Sequence, residues 1–172
     1  MNILFKILYI FFFIILAMVF FKFAITAALI LLFVLWLRTW HMKKEPNQQA
    51  FLAGKLPNPK PDGFYQGSTG FGETGWRGKK FNAESSTGIN IFKDKKGNDI
   101  EKYPFKTYVG KGLFDENTIV LKIDYNIPEN PFWIRWILDE IVEVSSNEYL
   151  GTAHVRIIPV SPCSILYFEL KK

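Results

Sequence analysis

Cysteine and histidine are scarce in this chain of 172 residues. Cys163 is the only cysteine, and His41 and His154 are the only histidines. A single cysteine cannot form an internal disulfide, which excludes a disulfide-stabilised scaffold. The histidines are not clustered as metal ligands would be, and Cys163 has no histidine near it in sequence to make it a nucleophile. The sequence therefore predicts no metal, no cofactor and a structural role for Cys163.

Acidic residues are absent before Glu45. The formal net charge is +5, and from Glu45 onward 16 basic residues balance 16 acidic ones. The excess belongs to the N-terminal segment, so we do not expect a nucleic-acid-binding surface. The basic residues of that segment are Lys6, Lys22, Arg38, Lys43 and Lys44.

A long apolar run extends from Ile3 to Leu37 and predicts a membrane segment. As one helix, residues 7–37 would reach about 46 Å, against about 30 Å of hydrocarbon. No Gly, Pro or Asn interrupts Phe21–Ala27, which favours one long helix over a hairpin of two short spans. Cleavage of a signal peptide near Ala24–Ala28 would leave the apolar run Leu29–Leu37 at the new N-terminus, so we expect the segment to be retained.

Positive charge indicates the orientation of this segment. Arg38, Lys43 and Lys44 follow the apolar run, and the opposite flank is less basic. The positive-inside rule then predicts that the C-terminal part lies on the cytoplasmic side of the cell membrane. Trp36 and Trp40 fit the aromatic belt at a membrane interface.

Prolines mark a change of composition after the anchor. We expect a transmembrane anchor at residues 1–42, a Pro-rich linker at 43–63 and a β-barrel-like head domain at 64–172. The prolines of the linker predict a stiff extended spacer, with a short helix over Asn47–Lys55. A docking segment for an aromatic-lined groove is the alternative. These prolines are Pro46, Pro57, Pro59 and Pro61.

The head contains short apolar and aromatic runs separated by Gly, Asn-Asp or Pro clusters. This spacing predicts an all-β domain, a small antiparallel eight-stranded barrel or barrel-like sandwich. The predicted strands are Phe64–Ser68, Gly75–Phe81, Thr87–Lys93, Tyr103–Gly110, Thr118–Tyr125, Ile141–Ser145, Glu148–Ile157 and Ser164–Leu170.

One helix is predicted between the strands; it begins at Pro131 and continues through Phe132–Glu140. Asn130 would be its N-cap, Pro131 its first residue, and Arg135 and Asp139 an i, i+4 pair. The helix would cover the barrel, contact the membrane surface or contact a ligand. We predict one buried and one exposed tryptophan in it. The candidate contacts for a ligand or lipid are Phe132, Trp133, Trp136, Trp76 and Tyr108.

Two patterns suggest chemistry without supporting it. Gly70–Gly75 matches G-x-G-x-x-G, but a strand rather than a helix is predicted to follow, and no H-R-D or D-F-G motif is present. A flexible hairpin connection is the better interpretation. Asp139, Glu140 and Glu143 form the densest acidic cluster. Acid-base chemistry is one interpretation, and a solvated helix end is the other.

The residues Tyr103–Leu113, Ile123–Pro131 and Tyr149–Gly151 resemble a family of uncharacterised bacterial proteins with an N-terminal membrane helix. The resemblance covers residues 61–170 and implies little chemistry. The strand count and Tyr149–Gly151 are also similar to calycin barrels, including lipocalins, which implies ligand carriage. The lipocalin Gly-x-Trp signature is not met, because Thr74 stands two residues before Trp76.

These observations predict a membrane-anchored, non-enzymatic barrel that binds an apolar ligand or lipid. The lipid bilayer is then the expected partner. The alternative is a structural or interaction module that holds a partner protein at the membrane.

Overall fold

The N-terminal segment is one continuous helix in the computed structural model, which describes residues 2–70, 72, 75–113, 115–156 and 162–172. This helix, α1, covers Ile3–Met42 and is long and apolar enough to cross a membrane. The chain divides into two compact units, Met1–Leu37 and Arg38–Lys172. The last turn of α1 therefore belongs to the second unit.

The second unit contains a short helix and eight antiparallel strands. The helix α2 covers Pro46–Ala53. Each strand pairs with the next and the first pairs with the last, so the sheet closes into a barrel. The strands are β1 Gly63–Thr69, β2 Trp76–Asn82, β3 Thr87–Lys93, β4 Asp99–Lys111, β5 Ile119–Asp124, β6 Ile137–Ser145, β7 Glu148–Val155 and β8 Cys163–Lys171. The predicted eight-stranded fold is confirmed.

Aromatic side chains fill one half of the barrel interior. Successive strand residues point to opposite faces, so Tyr149 points inward and Leu150 outward. The ring of Tyr65 lies 5.2 Å from Tyr149 and 5.8 Å from Phe81, between ring centroids, and Phe81 lies 5.4 Å from Phe105. Edge-to-face packing of this kind closes that half of the barrel.

A second apolar cluster lies on the outside of the barrel. Met42 and Phe51 are buried there with side chains from four strands. The backbones of Lys55 and Glu143 also exchange two hydrogen bonds, of 2.9 and 2.7 Å. Part of the residue range 43–63 is therefore packed on the sheet. The strand residues of the cluster are Val120, Val142, Leu150 and Tyr167.

A short helix is present between β5 and β6, but the predicted bounds, residues 131–140, are wrong. Only Ile134–Trp136 forms a 3-10 turn, and β6 begins at Ile137. Because both faces of β6 are buried, its apolar residues do not alternate simply with polar ones and resemble a helical stripe. Ladder pairing with β5 and β7 decides the conformation.

The proposed helix contacts are replaced by tertiary ones. Asn130 is not an N-cap; its buried Nδ2 donates 2.8 Å hydrogen bonds to the carbonyl oxygens of Pro104 and Tyr125. Arg135 does not pair with Asp139, because its Nε donates to Asn126 Oδ1 at 3.0 Å. The long-range partners were not visible in a local pattern.

The acidic cluster is not a solvated helix end. Asp139 and Glu140 are buried strand residues, and Glu143 is half-buried. The glycine-rich segment does connect β1 to β2, with positive φ values of 77° at Gly72 and 71° at Gly75. Within that segment Phe71, Glu73 and Thr74 lie outside the described residues, as does the predicted strand end Ile157.

Candidate functional site

The other half of the barrel interior is an open cavity of about 360 Å³. It lies at the end of the barrel where β1 ends and β2 begins, so we call this the open end. Trp76 forms part of the wall. Its ring packs directly on Gly67, where an added Cβ would lie only 2.4 Å from two ring carbons. The wall is mostly apolar and includes Phe92, Tyr103, Ile134, Ile137, Leu166 and Phe168.

A buried lysine and aspartate form part of the cavity lining. Lys79 comes from β2 and Asp139 from β6, and their side chains are 3% and 5% exposed. Lys79 Nζ donates to Asp139 Oδ2 at 2.9 Å and to Asn90 Oδ1 at 3.0 Å. It also contacts the hydroxyl of Tyr125. All three hydrogen-bond donors of the ammonium group therefore have partners.

Tyr125 and Asn90 complete this polar cluster. The Tyr125 hydroxyl donates to Asp139 Oδ2 at 3.0 Å and accepts from Asn90 Nδ2 at 3.1 Å. Asn90 Nδ2 also donates to the carbonyl oxygen of Tyr103, and Asn90 Oδ1 accepts from Trp76 Nε1 at 3.1 Å. We call Lys79, Asn90, Tyr125 and Asp139 the polar floor.

Burial shifts the pKa values of the polar floor. Desolvation lowers the pKa of Lys79, although the charge of Asp139 opposes the shift. Desolvation and then the charge of Asp139 raise the pKa of Tyr125 well above its ordinary value. The phenol of Tyr125 therefore stays protonated and can donate to the carboxylate.

Four aromatic rings surround the ammonium group of Lys79. Their centroids lie 5.1 to 5.5 Å from Nζ, a distance at which a cation is attracted to a ring face. This environment compensates in part for the loss of water around the charge. The rings belong to Trp76, Phe105, Tyr125 and Phe168.

The start of the second unit contacts the cavity wall. Arg38 Nε donates to the carbonyl oxygen of Ile165 at 2.9 Å, and Ile165 lines the cavity. The amide of Ser164 donates to Thr39 Oγ1 at 3.0 Å. The chain thus enters the barrel unit at the open end.

Three exposed aromatic side chains flank the cavity residue Ile134. Phe132, Trp133 and Trp136 are 64%, 56% and 44% exposed. The ring of Phe132 lies 5.0 Å from Trp133 and 5.7 Å from Trp136, between centroids. We call these three residues the aromatic cluster. The prediction that one tryptophan would be buried is wrong, because the segment is a short turn at the surface.

The predicted contact residues are divided between two regions. Trp76 lies in the cavity wall, and the aromatic cluster is beside it at Ile134. Tyr108 does not line the cavity; it is exposed, and its hydroxyl lies 3.4 Å from Asp124 Oδ2. Tyr108 therefore does not belong to this site.

Sequence reasoning missed the polar floor. A signal was present, because Lys79 stands two residues before Phe81 and Asn90 two residues before Phe92, so each pair shares a strand face. Asp139 was hidden by its assignment to a helix. The alternation places these residues inward but does not show that they meet.

A second buried polar cluster lies on the outer face of the sheet. His154 Nδ1 is 3.1 Å from Ser164 Oγ, and His154 Nε2 is 3.4 Å from Glu140 Oε2. Glu140 Oε1 also accepts from Lys122 Nζ at 2.9 Å. Serine, histidine and a carboxylate resemble a hydrolytic triad, but Glu140 and His154 border a void of only about 20 Å³, which is room for one water. This cluster joins strands and is too enclosed to hold a substrate.

Comparisons with known proteins support the fold alone. No protein-family model matches the chain, and no curated protein matches it. The crystal structure of a protein from Thermomonospora curvata is similar, with a TM-score of 0.51 and 17% sequence identity. The similarity covers 69% of this chain and 79% of that chain. The resemblance to membrane-anchored bacterial proteins and to calycins stays a prediction.

Proposed function

We propose that the barrel binds a small apolar molecule or a lipid chain in its open cavity, while α1 holds the barrel at a membrane. The single observation that carries this proposal is the cavity itself, whose wall is mostly apolar away from the polar floor. Its volume of about 360 Å³ is within the usual range for small-molecule sites. A barrel of eight strands has room for one such ligand.

The chain itself offers a source for such a ligand. The helix α1 is long and apolar enough to cross a membrane, and the barrel belongs to the same chain. Within the barrel unit, Arg38 Nε donates to the carbonyl oxygen of Ile165 at the cavity wall. We therefore include lipid chains of the bilayer among the proposed ligands.

Native mass spectrometry of the full chain in mild detergent tests the proposal. We expect a bound lipid or other apolar molecule in the wild-type protein and its loss in Ala153→Phe, because Ala153 lines the cavity. Val144→Phe is the matched control, since Val144 is exposed and outside the cavity. Equal ligand occupancy in both variants, or none in the wild type, would contradict the proposal.

The aromatic cluster favours a second role, contact with the membrane interface. Trp and Phe side chains settle at the boundary between headgroups and acyl chains. The alternative is that this surface holds a partner protein at the membrane, since exposed apolar patches also mark protein interfaces. In a variant whose Trp36, Trp40 and Trp76 are replaced by Phe, quenching of Trp133 and Trp136 fluorescence by spin-labelled lipids in liposomes would support lipid contact. Full solvent quenching of both would favour the protein partner.

The orientation of the barrel follows from the charge distribution. Arg38, Lys43 and Lys44 favour the cytoplasmic side of the cell membrane. A reporter fused after Lys172 should behave as cytoplasmic in a bacterial host. An active alkaline phosphatase at the same position would place the barrel on the other side.

A further inference from the structure

One polar atom of the floor has no hydrogen bond within the described part of the chain. Asp139 Oδ2 accepts from Lys79 and Tyr125, whereas Asp139 Oδ1 accepts from none of the described groups. Asp139 lines the cavity and its side chain is only 5% exposed. A carboxylate oxygen that accepts from none of the described groups and belongs to a side chain lining the cavity can accept a hydrogen bond from a ligand.

The charge of the floor disfavours an anion. Asp139 offsets the positive charge of Lys79 at 2.9 Å, and all three donors of Nζ are engaged inside the protein. A ligand carboxylate would have to displace one of these partners and would approach the Asp139 carboxylate. A neutral donor meets neither obstacle.

We propose that the cavity selects an uncharged apolar molecule that ends in a hydroxyl or amide donor, with Asp139 Oδ1 as the acceptor. This inference rests on the proposed function, because it assigns the chemistry of the same ligand. The apolar part of the molecule lies among Trp76, Phe92 and Phe168, and its polar end reaches the floor.

The volume limits the part of the ligand that is enclosed. A cavity of about 150 Å³ can hold one benzene molecule. By the same measure the present cavity of about 360 Å³ holds roughly a dozen non-hydrogen atoms. A chain of eight carbons with one polar group is therefore a suitable probe, and a longer lipid would leave its remainder outside the open end.

Two isomers separate donor recognition from apolar burial. 1-Octanol and 1-methoxyheptane have the same atoms, but only the alcohol has an O–H donor. Binding is measured by calorimetry on the full chain in lipid nanodiscs, with the heat of Ala153→Phe subtracted to remove partitioning into lipid. We expect octanol to bind about tenfold more tightly than the ether, as a hydrogen bond to a charged group predicts, and octanoate to bind more weakly than octanol.

The variants then assign the preference to Asp139. Asp139→Asn should remove most of the difference between octanol and the ether. The double variant Lys79→Met/Asp139→Leu should do the same, and it leaves no buried charge without a partner if the single variant fails to fold. Equal binding of the isomers to the wild type, or tighter binding of octanoate, would overturn this inference while the proposed function stands. No binding above the Ala153→Phe background would overturn both.

Discussion

Nζ of Lys79 lies 2.9 Å from Oδ2 of Asp139 inside the barrel, and neither side chain is more than 5% exposed. The two residues are 60 positions apart in the chain and come from β2 and β6. Desolvation of both charges is costly, so the pair adds little net stability compared with apolar residues of similar size. Removing only one partner of the pair nevertheless lowers the stability of the fold strongly, because the other charge stays buried.

Breaking this pair should destabilise the barrel more than replacing it. We expect Lys79→Met to lower the free energy of unfolding by about 3–5 kcal/mol, because Asp139 is left as an uncompensated buried charge. Lys79→Met/Asp139→Leu should recover most of that loss. Urea denaturation of the full chain in detergent measures both. A double variant as unstable as the single one would contradict this interpretation.

The tryptophans should fall into two classes. Trp133→Ala and Trp136→Ala should each change the free energy of unfolding by about 0.5 kcal/mol or less, because both side chains are at the surface. Trp76→Ala should cost about 3 kcal/mol, since Trp76 packs at 5.7 Å from Phe168 and bonds to Asn90. Thermal melts of the three variants provide the comparison. Equal losses would show that the aromatic cluster is part of the core.

Asn130 should matter as a donor. Asn130→Ala should cost about 2 kcal/mol, because two buried carbonyl oxygens lose their partner. Asn130→Asp is the informative control. An aspartate would serve as an N-cap as well as an asparagine does, but its carboxylate cannot donate to the carbonyl oxygens of Pro104 and Tyr125. Stability in the aspartate variant close to wild type would restore the capping role.

The position at which the chain is shortened should decide whether the barrel is soluble. A chain that begins at Arg38 keeps Met42 and Phe51 over the outer apolar cluster, whereas a chain that begins at Pro61 uncovers it. We expect the first to give a β-type circular dichroism spectrum with a cooperative melt. The second should melt at a lower temperature or aggregate. Similar melting of both would mean that the outer cluster contributes little.

Acid should weaken the outer polar cluster through Glu140. Burial alone would raise the pKa of Glu140, but hydrogen bonds and charge from His154 and Lys122 lower it overall from 4.5. A lowered pKa in the folded state adds stability that is fully present above about pH 4.5 and is lost as the pH falls through the folded value. Unfolding of Glu140→Gln should therefore depend less on pH below 4.5 than unfolding of the wild type. If urea denaturation showed the same loss of unfolding free energy below pH 4.5 in Glu140→Gln and in the wild type, this assignment would be contradicted.

Local sequence patterns predicted much of the fold. An apolar run as long as Ile3–Leu37 predicts a membrane helix. The turn residues between short apolar segments predicted the number of strands. The pattern failed at Phe132–Glu140, where a strand buried on both faces resembles a helix. The same error hid Asp139 and the contact role of Asn130.

The sequence by itself determined the apolar helix, the number of strands and which residues share a strand face, because these depend on neighbours in the chain. Only the tertiary structure decided that Lys79, Asn90, Tyr125 and Asp139 meet. Barrel closure sets their distances through the register of many long-range strand pairs. The spacing of residues along one strand does not specify how the strands align with each other. The cavity and its polar floor therefore form only when β8 pairs with β1 and the barrel closes.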